Sequence, residues 1–120
     1  MRKLSAIALL LTMVIFSNAD ARVKVKGQGD KINFDPDAIA PEFRASFDLM
    51  NRKCTRCHTM EMVVTAVQTG RAPVTGQRFG KQAVKAYGIK MLRRSNTDMN
   101  KQEIRNVVLL LNYLLDENAK

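Results

Sequence analysis

Three stretches of this chain place apolar residues at helical intervals. Phe43, Phe47, Met50 and Cys54 follow one another at four, three and four positions, which puts them on one face of an α-helix. Pro41 suits the first position of that helix because its missing N–H costs nothing there, and Glu42 lies at the positive end of the helix dipole. Phe79, Ala83, Ala86, Tyr87 and Met91 return to the same spacing, interrupted by Gly88. The last stretch is the clearest: Ile104, Val107, Val108, Leu111, Leu114 and Leu115 line one face of a helix expected to end near Glu117. Asn100 and Glu103 form an N-x-x-E start related to the capping box, with Met99 and Ile104 at the staple positions.

The segments between these helices read differently. Thr59 to Gln68 carries Met60, Met62, Val63, Val64 and Val67, and its pattern fits a short helix or an extended crossing equally well. Gly70, Pro73 and Gly76 make Thr69 to Arg78 a loop, and Asp35-Pro36-Asp37 signals a turn. Arg22 to Lys31 is polar, contains Gly27 and Gly29, and reads as a loose leader. No repeat, low-complexity tract or sustained alternation of strand type is present, so the expected fold class is all-α.

The first residues have the layout of an export signal. Arg2 and Lys3 precede the charge-free apolar run Leu4 to Phe16, and Ala19 and Ala21 form an A-x-A cleavage site. The run is shorter than the roughly 20 residues a membrane-spanning helix needs, and no cysteine follows the site to take a lipid. The expected organisation is a cleaved signal peptide over 1–21, a polar leader over 22–40 and one small domain over 41–118, soluble and periplasmic. Removing Arg2, Lys3 and Asp20 changes the formal charge of +9 to about +8. A domain this short has a thin core and usually needs a staple.

That staple is written in Cys54-Thr55-Arg56-Cys57-His58, which holds both cysteines and the single histidine of the chain. C-x-x-C-H is the attachment pattern of c-type haem. Two cysteines three apart lie on one helix face, so their sulfurs can add to the two vinyl groups along one porphyrin edge. The adjacent imidazole then coordinates the iron from the proximal side. Other uses of these residues fit less well. A Cys54–Cys57 disulfide suits an oxidising compartment. A redox-active C-x-x-C belongs after a strand in a βαβ pattern, which is missing. Zinc needs four ligands, and only three are at hand. The expected cofactor is therefore one covalent haem c with its iron.

On these residues the chain resembles the small monohaem class I cytochromes c, over most of Pro41 to Glu117. The resemblance rests on a helix running into C-x-x-C-H, a methionine upstream of the last helix, and the run Glu103-Ile104-Arg105-Asn106-Val107-Val108-Leu109-Leu110-Leu111-Asn112-Tyr113-Leu114. It implies that the first and last helices cross over one haem edge, with Phe47 and Met50 meeting Val107, Leu111 and Leu114. It also implies an acceptor carbonyl for the free ring N–H of His58, in the stretch from Gly70 to Pro73.

The sixth ligand of the iron decides what such a protein does. A methionine thioether closes the iron to small ligands and raises its potential. Met50 is expected to pack between helices, and Met60 and Met62 follow His58 too closely to reach the opposite ring face easily. Met91 and Met99 remain. Met99 is wanted as the staple partner of Ile104, so Met91 is the expected distal ligand, and it resembles the methionine ending a short helix in one subgroup of the family. The loop after His58 looks longer than in compact members.

Lys81, Lys85, Lys90, Arg93, Arg94, Lys101 and Arg105 crowd the segment around Met91, with Arg52, Lys53 and Arg56 near the attachment site. They are either the wet faces of amphipathic helices or a ring that steers an acidic redox partner to the haem edge. No nucleic-acid motif is present. The expected function is electron transfer by a monomer that transforms no substrate. The alternatives are a haem sensor or ligand-binding protein with an open or labile sixth site, and a haem subunit of a larger oxidoreductase, with the leader as its attachment arm.

Overall fold

The computed structural model describes residues 23–56, 58–94 and 98–120. The expected signal peptide and Cys57 lie outside the described residues. The described residues are mostly helical, with four α-helices among them: α1 (Arg44–Lys53), α2 (Met60–Thr69), α3 (Lys81–Arg93) and α4 (Lys101–Ala119). Helix α4 is the central element, packing against α1, α2 and α3.

The expectation of a purely helical domain needs a correction at its start. Strands β1 (Val25–Lys26) and β2 (Asn33–Phe34) pair antiparallel, with Val25 opposite Phe34 and Lys26 opposite Asn33. Val23-Lys24-Val25-Lys26 does alternate with a period of two, but over too few residues to register against helical spacing. Gly27 makes the turn at φ +85°, where a Cβ would collide with the Lys31 carbonyl. The segment expected as a loose leader also supplies core: Phe34 and Ile39 are buried in the same cluster as Phe47, Leu110 and Leu114. It is held down by α4. The Asn118 side chain accepts the Val23 N–H at 3.1 Å, and the Tyr113 hydroxyl accepts the Ala40 N–H at 3.1 Å. The Tyr113 ring stacks on Phe43 with centroids 4.4 Å apart.

The helix boundaries follow from local chemistry. Pro41–Phe43 forms a 3₁₀ turn that leads into α1 rather than its first α-helical turn, closed by the Arg44 N–H on the Pro41 carbonyl. The undecided segment after His58 is helical. Thr59 caps α2 by accepting the Met62 N–H, and Gly70 ends it in the left-handed region at φ +68°. The capping box at α4 is present in both halves: Asn100 Oδ1 accepts the Glu103 N–H at 2.8 Å, and Glu103 accepts the Asn100 N–H at 3.0 Å. Phe47, Met50, Val107, Leu111 and Leu114 belong to one core cluster where α1 packs on α4.

Gly88, which interrupts the α3 pattern, is where α3 and α4 approach closest to a glycine. A Cβ at Gly88 would lie 2.8 Å from Val108 Cγ2 and 3.4 Å from Ile104 Cγ2. Valine in a helix is confined to essentially one χ1 rotamer, so Val108 cannot turn aside. Gly88→Ala gains about 1 kcal/mol of helix propensity but incurs an overpacking cost of roughly 1–3 kcal/mol. The expected result is a lowered melting temperature. In a Val108→Ala background the same change should reverse sign and stabilise, which thermal unfolding of the four variants reads directly.

Candidate functional site

The C-x-x-C-H segment lies between α1 and α2. Cys54 is the C-cap of α1, its N–H bonded to the Met50 carbonyl, and Cys54–Arg56 continues as a 3₁₀ turn. The Thr55 hydroxyl donates to the Asn51 carbonyl at 2.7 Å, which keeps the turn on the axis of the helix. Cys54 is buried at 7% exposure, within the core. His58 follows the turn, and Thr59 then starts α2. Cys54 and His58 are thus set between the end of α1 and the capped start of α2, which fixes where these two side chains leave the backbone.

Beside it opens a cavity of about 480 Å³. Its walls are contributed by the end of α1 and the turn after it (Met50, Cys54, His58), by α2 (Met62, Val63, Ala66), by the loop at Ala72–Thr75, and by α3 and α4. Met91 and Met99 both line it, together with Tyr87, Val107 and Leu111. Cys54, His58, Met91 and Met99 are therefore brought together around one space, although 33 residues of sequence separate His58 from Met91. Comparison with family models, curated proteins and solved structures returned no match.

The side chains around the space suit a large apolar group. Val63, Ala66, Val84, Val107 and Leu111 offer hydrocarbon, and the sulfurs and the imidazole are the soft donors that iron in a porphyrin accepts. One polar atom stands out: His58 Nδ1 is buried without a hydrogen-bond partner. A buried, unsatisfied ring nitrogen points to a missing partner for the imidazole. Ala72 and Pro73 line the cavity, but the acceptor carbonyl that the resemblance implied between Gly70 and Pro73 does not take a bond from Nδ1. The loop is instead bonded to itself, with the Ala72 N–H on the Gln77 carbonyl and the Gly76 N–H on the Ala72 carbonyl, both at 2.8 Å.

The structure also places residues that sequence spacing passed over. Met62, set aside as too near His58, reaches the cavity because α2 turns back along it. Phe79 and Tyr87, whose ring centroids are 6.0 Å apart, share the wall. Met99 packs against the core as well as lining the cavity, so its place before the α4 cap does not remove it from the site.

Of the basic residues expected around the site, Lys53, Lys90 and Arg94 line the cavity. Lys53 is engaged by Glu103 at 3.1 Å and Asp98 at 3.9 Å, which ties the end of α1 to the start of α4. The Asn100 N–H and then Lys53 hold the Glu103 carboxyl below its ordinary value. Lys81 pairs with Asp116 on α4, away from the cavity lining.

Proposed function

We propose that this protein is a small monohaem cytochrome c of the class I type, exported to the periplasm, that carries single electrons between redox proteins. The observation that carries this reading is the apolar cavity around which Cys54, His58, Met91 and Met99 converge. Cys54 and Cys57 would hold the haem through thioether bonds, His58 would take the proximal side of the iron, and Met91 the distal side. When bound, the haem supplies a one-electron couple whose potential a thioether ligand raises.

The remaining residues do what such a carrier requires of its protein. Val84, Val107 and Leu111 would set hydrocarbon rather than water against the bound group, which limits reorganisation when the charge changes. Val74, 79% exposed yet part of the cavity wall, leaves an apolar rim where a partner protein can approach closely. The formal charge of about +8 left after removal of the signal peptide favours a partner with an acidic docking surface and an association rate that falls with salt. Among the described residues no helix is long and apolar enough to cross a membrane.

The absorption spectrum of the protein made with a cytochrome c maturation system tests this. A low-spin oxidised haem with the weak near-infrared methionine–iron band, indifferent to carbon monoxide when reduced, is the expected result. High-spin features with rapid binding of carbon monoxide would replace the carrier by the sensor. A colourless, folded product of bare polypeptide mass would end the haem reading altogether.

A further inference from the structure

Among the described residues, the charged side chains lining the cavity are Lys53, Asp98, Lys90 and Arg94. They divide into two sets. Lys53 stands next to Cys54 and is committed to Glu103 and Asp98. Lys90, in the last turn of α3, and Arg94, its C-cap, both line the cavity, and among the described residues neither is in an ion pair. Lys90 Nζ rests 5.5 Å from the Tyr87 ring centroid, which holds it over the cavity wall.

We propose that Lys90 and Arg94 hold the two haem propionates and thereby position Met91, an assignment that rests on the haem reading above. A porphyrin joined to Cys54 and Cys57 along its vinyl edge carries its two carboxylates on the opposite edge. Beside hydrocarbon walls such anions would be costly without a cation to pair with. The cation beside the attachment point is already spent on Glu103 and Asp98, so the partners come from another element. The Arg94 guanidinium matches a carboxylate with two parallel N–H bonds, and Lys90 supplies a compact charge. The pair also brackets the proposed ligand. Lys90 directly precedes Met91, and the Arg94 N–H bonds to the Met91 carbonyl at 3.2 Å. Anchoring both cations on the porphyrin restrains the turn that presents the thioether.

The test uses the full chain matured with its haem. Lys90→Gln with Arg94→Gln is compared with Lys24→Gln with Lys31→Gln, which removes the same two charges from exposed positions around the N-terminal hairpin. Both single substitutions on α3 are measured alongside, so that poor maturation of the double variant leaves a readable series. The α3 pair should show a lower reduction potential than the hairpin pair, because carboxylates left without cations favour the ferric state. Its methionine–iron band should also disappear at a lower temperature on heating. Lys90→Arg with Arg94→Lys, which keeps both charges but moves the guanidinium, should recover most of the lost potential. Equal potentials and equal band-loss temperatures in the two glutamine pairs would overturn the assignment while leaving the haem reading intact. Wild-type protein secreted without the porphyrin mass would overturn that reading, and this assignment with it.

Discussion

Replacing Cys54 and Cys57 together by alanine should leave a secreted chain of bare polypeptide mass that melts far below the wild type. Without the thioether bonds no covalent link keeps a group in the cavity of about 480 Å³. A dry void of that size would cost on the order of 10 kcal/mol at about 24 cal/mol per Å³. That is comparable to the whole stability of a small domain. Because the cavity opens to solvent, water fills part of it and the loss is smaller. A loss of even about 4 kcal/mol lowers the melting temperature of a domain this size by roughly 16–32 °C. Intact mass and thermal unfolding by circular dichroism read both effects. A colourless double variant with the wild-type melting temperature would show that no covalent group props the walls apart.

Met91→Ala should abolish the methionine–iron band, lower the reduction potential and admit carbon monoxide to the reduced haem. Each effect has the same origin: the thioether favours ferrous iron and occupies the sixth position, and alanine does neither. Met99→Ala is the necessary companion, because Met99 also lines the cavity and packs on the core. It should keep the band and lose stability of roughly 1–2 kcal/mol, less than the 2–5 kcal/mol of a fully buried methionine because Met99 is only half-buried. Survival of the band in the first variant with its loss in the second would exchange the two residues in the site.

The two axial candidates illustrate what spacing can and cannot tell. The cap logic that set Met99 aside was locally sound, and the capping box is present at Asn100 and Glu103. It did not follow that a side chain at the staple position is turned away from the cavity. A residue just before a helix packs wherever the helix start is docked, and Lys53 docks the start of α4 beside Cys54 through Glu103 and Asp98. Met62 makes the same point from the other side. Closeness to His58 in sequence was taken as a reason against it, yet the turn between α1 and α2 sends α2 back along the wall.

The helices were legible because their determinants are local. Period, caps and breakers act within a few residues, so α1, α3 and α4 appeared near their observed ends, and the interruption at Gly88 was visible even though its reason was not. That reason is the Val108 side chain across the interface, 20 residues away. The hairpin of β1 and β2 was missed because a two-residue strand has no period to read. It exists because Asn118 and Tyr113, at the far end of the chain, give its flanks hydrogen-bond partners and because Phe34 has a core to enter.

By itself, then, the order of residues determined the helical character, the capped start of the last helix, the pairing of cysteines with histidine at haem-attachment spacing and the basic balance of the chain. All of these depend on neighbours within about one or two helical turns. Only the folded arrangement decided that the N-terminal segment belongs to the core, that Cys54, His58, Met91 and Met99 surround one apolar space, and which cations face it. Those outcomes depend on how α4 is gripped on three sides, and contacts between residues dozens of positions apart leave no periodic trace in a single sequence.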